Sequence, residues 1–304
     1  MRIVFMGTPD FASRSLERLY DDGHEVAAIF TQPDKRKGRG MKILMSPVKE
    51  LALKYDTPVY QPASLRDAEV LKTFRELNCE LIAVVAYGRL LTSEVLSIPY
   101  LGCVNIHGSL LPKYRGAAPV HWAVLNGETL TGVTSMLMTE ELDAGDILLT
   151  RQTEIGEDET SGELYERLSI LGADLLSETI KAAADFEIIR RQQNHNEATY
   201  APAIKKDLSP IDWTKTAYEI KCKIRGLSPW PGAVTDLQGV TIKVFSAATS
   251  DVKTGKKTGE IIAANERGIE IACADGSVII RELQPSGGRI MNAADYLRGR
   301  PLCL

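Results

Sequence analysis

The chain has 304 residues, 44% of them hydrophobic and 25% charged, which is enough apolar material for a sizeable core and for two domains. Its formal net charge is −4, from 36 Lys and Arg against 40 Asp and Glu. No apolar run approaches the length of a membrane span, and the opening "MRIVFMGTPD" is too short and strand-like for a signal peptide, so a cytoplasmic protein is expected.

In chain order, "RIVFMG" reads as an apolar strand ending in Gly7. "FASRSLERLYDDG" puts Leu16, Leu19 and Tyr20 at helical spacing, with Gly23 beyond the end. "HEVAAIFTQP" is a second buried strand. "SPVKELALKY" is a helix with Ser46 as N-cap and Pro47 at its first position. A short strand "TPVYQP", an amphipathic helix "DAEVLKTFRELN" and a fully apolar strand "ELIAVVAYG" follow, then strands "CVNIHGS" and "GVTSMLM". Apolar strands alternating with helices predict a mostly parallel, Rossmann-like α/β sheet covered on both faces. A long helix, "TSGELYERLSILGADLLSETIKAAAD", closes this first domain, taken as residues 1–188. Residues 189–207 are polar and read as a linker. The remainder, 208–304, has one helical piece, "TKTAYEIKCKIRG", and then short strands between Gly, Asn and Asp turns. That pattern predicts a small, OB-like β-barrel.

The five cysteines (79, 103, 222, 273 and 303) show no C-x-x-C pair and read as reduced core residues. The four histidines (24, 107, 121 and 195) lack metal-ligand spacing, so no metal is expected. Charge is uneven. From residue 205 onward there are 15 basic and 11 acidic residues, against 21 and 29 before it. A basic C-terminal part on an acidic body points toward a polyanionic partner.

Three stretches carry chemistry. "DKRKGRGMK" places Lys35, Arg36, Lys37, Arg39 and Lys42 in a Gly-containing insertion after the second strand, suited either to a solvated surface or to gripping a phosphate backbone. In "NIHGS", Asn105 and His107 share one strand face because the side-chain period is two. An amide N–H can donate to a developing oxyanion, and an imidazole can move a proton near neutral pH. In "ELDAGD", Asp143 approaches His107 if the strand before it neighbours "CVNIH". The early "MGTPDFA" has one Gly where a dinucleotide loop needs G-x-G-x-x-G. An Asn, a His and an Asp without a protein nucleophile suit a reaction in which a substrate amine attacks an acyl group.

These residues resemble a known family. "NIHGSLLP", "RGAAP" and "LDAGD" look like the core of the enzymes that use 10-formyltetrahydrofolate. "GTPDFA", "TQPDKRKGRG", "PVKELA", "QPASLR", "VVAYGRLL" and "SPWPGA" are similar to the methionyl-tRNA formyltransferases among them. The resemblance implies formyl transfer from 10-formyltetrahydrofolate to methionine on initiator methionyl-tRNA. It implies Asn105, His107 and Asp143 as catalytic residues. Ser109, Leu110, Leu111 and Pro112 become the folate-contacting loop, and Arg39 a residue of a tRNA-contacting insertion. A monomer is expected. Glu141 stands where the family usually has Gly, and Ser135 where a branched apolar residue is usual. A formyl transferase acting on a small amine and a non-catalytic RNA-binding protein are the rival readings.

Overall fold

The computed structural model describes residues 1–37, 42–252 and 255–302. The chain forms two compact units. The first comprises 1–119, 130–154 and 165–202, and the second 120–129, 155–164 and 203–304. Among the described residues, no helix is long and apolar enough to cross a membrane.

The first unit is built on β1 (Arg2–Gly7), α1 (Asp10–Asp21), β2 (Glu25–Phe30), β3 (Lys35–Lys37), β4 (Lys42–Leu44), α2 (Pro47–Lys54), β5 (Val59–Tyr60), α3 (Ala68–Glu76), β6 (Leu81–Val85), α4 (Ser93–Leu96), β7 (Cys103–His107), β8 (Leu130–Leu137) and β9 (Ile147–Glu154). Helix α5 (Pro119–Leu125) belongs to the second unit from Val120 onward, and α6 (Ser161–Ala184) supplies the first unit's long helix from Tyr165 onward. The sheet order is β5-β2-β1-β6-β7-β8-β9. The first five strands run parallel. The last two, β8 and β9, pair antiparallel.

Alternation along the parallel strands explains the two covered faces. Val4, Met6, Ala28, Phe30, Ile82 and Val84 share one buried cluster with Phe74 and Val95. Their neighbours Ile3, Phe5, Ile29, Leu81, Ala83 and Val85 are equally buried, so they serve the opposite face. Phe30 and Phe74 stack at 4.0 Å between ring centroids. The predicted cap forms: Ser46 Oγ accepts from Lys49 N at 3.1 Å, with Pro47 at the first position. Ser135 is fully buried on β8, where its hydroxyl accepts from Leu149 N at 3.1 Å and pairs with Thr179 of α6 at 2.8 Å. These two partners satisfy the buried hydroxyl of Ser135. Cys79, Cys103, Cys222 and Cys273 are free thiols and buried.

The first unit departs from the sequence reading at α4, which has no counterpart there, and at two further places. Strand β9 has no counterpart in it; the last residues of that strand are mostly polar and exposed, as an edge strand allows. The basic insertion is not wholly a loop, since β3 and β4 pair antiparallel with Lys37 opposite Lys42. Residues 38–41, including Arg39, lie outside the described residues, as does Cys303.

The second unit contains α7 (Ala217–Gly226), β10 (Ala233–Leu237), β11 (Val240–Ser250), β12 (Ile261–Asn265), β13 (Gly268–Ala272), β14 (Ser277–Pro285), β15 (Met291–Asn292) and α8 (Ala293–Gly299). Its antiparallel sheet runs β10-β11-β14-β13-β12, with β15 on β14. Ile242, Val244, Ile269, Ile271, Val278, Ile280 and Leu283 form its core, joined by Ile220 and Ile224 from α7 and Tyr296 from α8. A capping box starts α7: Thr216 Oγ1 accepts from Glu219 N at 3.2 Å, and Glu219 Oε2 accepts from Thr216 N at 2.9 Å. Removing such a cap costs about 1 kcal/mol. Thr216→Ala is expected to lower the unfolding midpoint accordingly in a urea titration; an unchanged midpoint would show that the cap contributes nothing to the unit.

Candidate active site

Strand β7 lies between the last parallel neighbour and the first antiparallel one, so its two edges meet different partners. Asn105 is level with Val84 on β6 and Met136 on β8, and His107 with Thr134. Asn105 Nδ2 donates to the Val84 carbonyl at 3.0 Å, which holds the amide across the carboxyl end of β6. One N–H of that amide is thereby used, and the second has no partner among the described residues. Its Oδ1 is buried and meets no protein donor among the described residues. An orphaned buried acceptor costs about 1–3 kcal/mol.

His107 is 6% exposed. Its Nε2 lies 2.9 Å from the Tyr114 carbonyl, which can only accept, so Nε2 carries the hydrogen. Its Nδ1 faces Asp143 Oδ2 at 3.6 Å, beyond hydrogen-bond length but within ion-pair reach. The same Oδ2 accepts from Gly116 N at 2.8 Å. The sequence expectation that Asp143 approaches His107 rests on β8 neighbouring β7, and β8 does. Because the pairing is antiparallel, β8 runs away from His107 and the loop after it must fold back.

Three backbone features allow that return. Asp143 takes φ 49°, a left-handed conformation that Asp tolerates. Glu141 is not in the left-handed region, so a Glu in place of Gly leaves the loop undisturbed. Gly145 is needed for proximity: a Cβ there would overlap the Leu137 carbonyl oxygen. Gly116 is needed for both reasons, with φ 120° and its Cβ position 2.8 Å from the Ala201 carbonyl.

The "SLLP" turn follows His107 directly. Ser109 is fully buried, donating to the Lys113 carbonyl at 2.6 Å, and Thr134 donates to the Ser109 carbonyl at 2.7 Å. Leu111 N donates to Thr134 Oγ1 at 3.2 Å, and its side chain packs with Met136 and Ile147. The side chains of Ser109 and Leu111 are thus committed to the protein, whereas Leu110 and Pro112 are half-buried. Beside the loop after β6 lies a cavity of about 590 Å³ that sequence reasoning did not find. Leu65, Leu71, Leu90 and Leu91 give it apolar walls, Arg66 and Arg89 give it cations, and Glu94 and Glu140 give it carboxylates. Arg89 is fixed by donating to the Pro62 and Ala63 carbonyls at 3.1 and 2.7 Å. Neither Asn105 nor His107 lines this cavity. It was illegible in the sequence because its walls come from three separated segments.

At the second strand, Asp34 opens the basic insertion and is tied down. Lys49 Nζ donates to Asp34 Oδ2 and to Gln61 Oε1, both at 2.7 Å, and Gln61 Nε2 donates to Asp34 Oδ1 at 2.8 Å. The Lys49 ammonium beside it holds the Asp34 carboxyl below its ordinary range. Among the described residues no group of His, Cys, Asp and Glu is arranged to hold a metal.

A family model described as formyl transferase matches residues 1–180, and one described as formyl transferase, C-terminal domain, matches 203–301. The doubly wound sheet and the second β unit thus define a formyl transferase, an enzyme of one-carbon group transfer that draws on 10-formyltetrahydrofolate. A methionyl-tRNA formyltransferase of Trichlorobacter lovleyi is 49% identical over 100% of this chain and 95% of its own. One of Clostridioides difficile is 44% identical over 99% and 98%. The chain belongs to the methionyl-tRNA formyltransferase family. Among solved structures, an N-formyltransferase from Helicobacter canadensis, in complex with folinic acid and dTDP-3-aminofucose, has a TM-score of 0.68 at 21% identity, covering 91% of this chain and 97% of that one. HypX from Aquifex aeolicus, in complex with tetrahydrofolic acid, has a TM-score of 0.65 at 20% identity, covering 98% of this chain and 47% of that one. Both share the fold.

Asp143→Asn keeps the size of the side chain and its acceptor for Gly116 but removes the charge beside His107. It is expected to leave the unfolding midpoint unchanged and to lower kcat for formyl transfer by roughly 10²–10⁴-fold, the usual contribution of a proton-transfer apparatus. A wild-type kcat in a correctly folded variant would remove Asp143 from the site.

Proposed function

We propose that the chain moves the formyl group of 10-formyltetrahydrofolate to the α-amine of methionine on initiator methionyl-tRNA, and that Asn105, His107 and Asp143 carry the transfer. The observation that supports this most is the setting of His107. One ring nitrogen is held by the Tyr114 carbonyl, and the other faces a carboxylate.

An α-amine has a pKa of roughly 7.7–8.0, so a useful fraction is neutral at cellular pH. Its lone pair attacks the formyl carbon, a C–N bond forms and the formyl oxygen gains negative charge. The second Nδ2–H of Asn105 donates to that oxygen. His107, with Nε2 already protonated, presents a bare Nδ1, which takes the proton the amine loses. The imidazolium so formed has an oxygen acceptor at each nitrogen, the Tyr114 carbonyl and the Asp143 carboxylate. The oxyanion then collapses, the bond from carbon to N10 breaks, and the proton passes from His107 to N10. No net proton is gained or lost. The 3.6 Å gap between Nδ1 and Asp143 is of the kind that closes when substrate excludes water.

The donor substrate joins an aromatic pterin to a glutamate with two carboxylates. The cavity beside β6 suits that chemistry, with leucines for the rings and Arg66 and Arg89 for the carboxylates. Leu110 and Pro112 of the "SLLP" turn serve as its border, and Ser109 and Leu111 act through the shape of the turn.

For the RNA, the proposed binding surfaces are the basic insertion, with Lys35, Arg36, Lys37, Arg39 and Lys42, and the C-terminal domain. The transfer belongs to residues 1–188 and RNA binding is shared by 208–304. In the second unit, Arg289 and Arg300 line a cleft of about 560 Å³ beside the ion pair of Arg298 with Asp295. Replacing Arg39 and Lys42 by Ala is expected to weaken tRNA binding and to reduce its log–log salt slope by about 0.7–0.9 for each phosphate left without its cation. The KM for 10-formyltetrahydrofolate should hold. Purified protein given 10-formyltetrahydrofolate and charged initiator tRNA should yield formylmethionine; formylation of a small amine alone, or RNA binding without transfer, would overturn the reading.

A further inference from the structure

We infer that Gln193 and Arg115 are positioning residues for the transfer, holding the backbone of Asp143 so that its carboxylate faces His107. The inference rests on the reading of Asp143 as a catalytic group.

Gln193 lies in the segment read from sequence as a linker, yet it is 6% exposed. Its Nε2 donates to the Asp143 carbonyl at 2.8 Å and to the Gly145 carbonyl at 2.7 Å. Its Oε1 accepts from Arg115 Nε at 3.1 Å and Nη2 at 2.7 Å. All of its hydrogen-bonding capacity is used. The amide has one orientation, because turning it over would set donors against the guanidinium and its oxygen against two carbonyls. Its two donors grip carbonyls on either side of Ala144, just after the left-handed residue, and so fix the one strained joint of the loop.

Arg115 is 3% exposed, and its side chain bonds to Gln193 and lies with Nη1 3.4 Å from His195 Nδ1, with no carboxylate partner among the described residues. A buried cation without a carboxylate is expensive for a fold. Here it polarises the Gln193 amide, and hydrogen bonds to a charged group are roughly twice as strong as neutral ones. The main chain on each side of Arg115 touches the catalytic pair directly, Tyr114 through its carbonyl to His107 and Gly116 through its N–H to Asp143. Residues 199–201 lock that loop in turn: Arg115 N donates to the Thr199 carbonyl at 2.8 Å, and Ala201 N donates to the Arg115 carbonyl at 2.7 Å. One brace therefore holds both the loop that carries Asp143 and the loop that meets His107.

Displacing a reacting group by about 1 Å costs roughly 10²-fold in rate. Gln193→Glu is the informative variant. It keeps the acceptor for Arg115, and so the fold, while replacing the two donors with an oxygen that repels the carbonyls of Asp143 and Gly145. The expected result is a kcat lower by roughly 10–10²-fold, with KM for both substrates and the unfolding midpoint nearly unchanged, and a displaced pH profile of kcat. In an Asp143→Asn background the same change should cost almost nothing further, since residues that act as a unit are not additive. If Gln193→Glu does not fold, Arg115→Lys, which keeps the charge but loses the paired donors, carries the same test. A wild-type kcat in the folded variant, or a loss that persists in full in the Asp143→Asn background, overturns the inference. A wild-type kcat in Asp143→Asn itself overturns instead the reading beneath it.

Discussion

A carboxylate held by one backbone N–H, Gly116 to Asp143 at 2.8 Å, is the joint on which the candidate site turns. It links a loop that leaves β8 in the wrong direction to a histidine at the far end of β7. Everything local to it is arranged to make that link possible. Asp143 accepts a left-handed backbone, Gly145 lets the chain pass the Leu137 carbonyl, and Gly116 clears the Ala201 carbonyl. Tyr114 also sits in the left-handed region, at φ 62°. For a non-glycine residue each such conformation costs about 1–3 kcal/mol. The compact apolar layers on both faces of the parallel sheet tolerate that cost.

The layered sheet was legible because buried parallel strands write themselves as apolar runs, as "RIVFMG" and "ELIAVVAYG" do. Asn105 and His107 were legible for the same reason in reverse: polar residues two apart on such a strand must share a face. Asp143 was legible only conditionally, since strand order is not written in local pattern, and the fold supplied the missing condition by pairing β7 with β8. Arg115 pairs with Gln193, 78 residues away. No periodicity reports such a pairing, and the polar composition around Gln193 gives the same signal as a solvated tether. Composition reports the average environment of a segment, and here one buried side chain departs from that average. Leu111, which the resemblance implies as a folate contact, packs with Met136 and Ile147 in a small core, a neighbourhood that the apolar run around it does not reveal.

In the proposed transfer, the arrangement around His107 explains why Asn105 acts beside it. With Nε2 engaged by Tyr114 and Nδ1 turned toward Asp143, the imidazole has little left to offer a developing oxyanion directly. The spare N–H of Asn105, already aimed by its bond to Val84, is preorganised for that charge, and such preorganised donors are where most catalytic stabilisation arises. The His–Asp pair is then free to handle the proton. Separating the two tasks between residues two apart on one strand keeps their relative geometry as rigid as the strand itself.

Electrostatics at longer range follows a different logic. The chain is acidic overall, at −4, so its average field repels RNA. Binding a polyanion therefore depends on where the positive charge is gathered rather than on how much there is. Five basic residues within nine, from Asp34 to Lys42, and a C-terminal part with 15 basic against 11 acidic residues are such gatherings. The root of the first is not left loose: Asp34 is clasped by Lys49 and Gln61, and Gln61 Nε2 also donates to the Gln32 carbonyl at 2.8 Å, next to a Gln32 side chain that donates to the Tyr87 carbonyl at 3.0 Å. A phosphate grip on a mobile tether would bind but not orient. In the proposed binding mode, anchoring Asp34 to the loop after β6 fixes where the insertion leaves the sheet, at the carboxyl ends of the parallel strands that also carry Asn105 and His107.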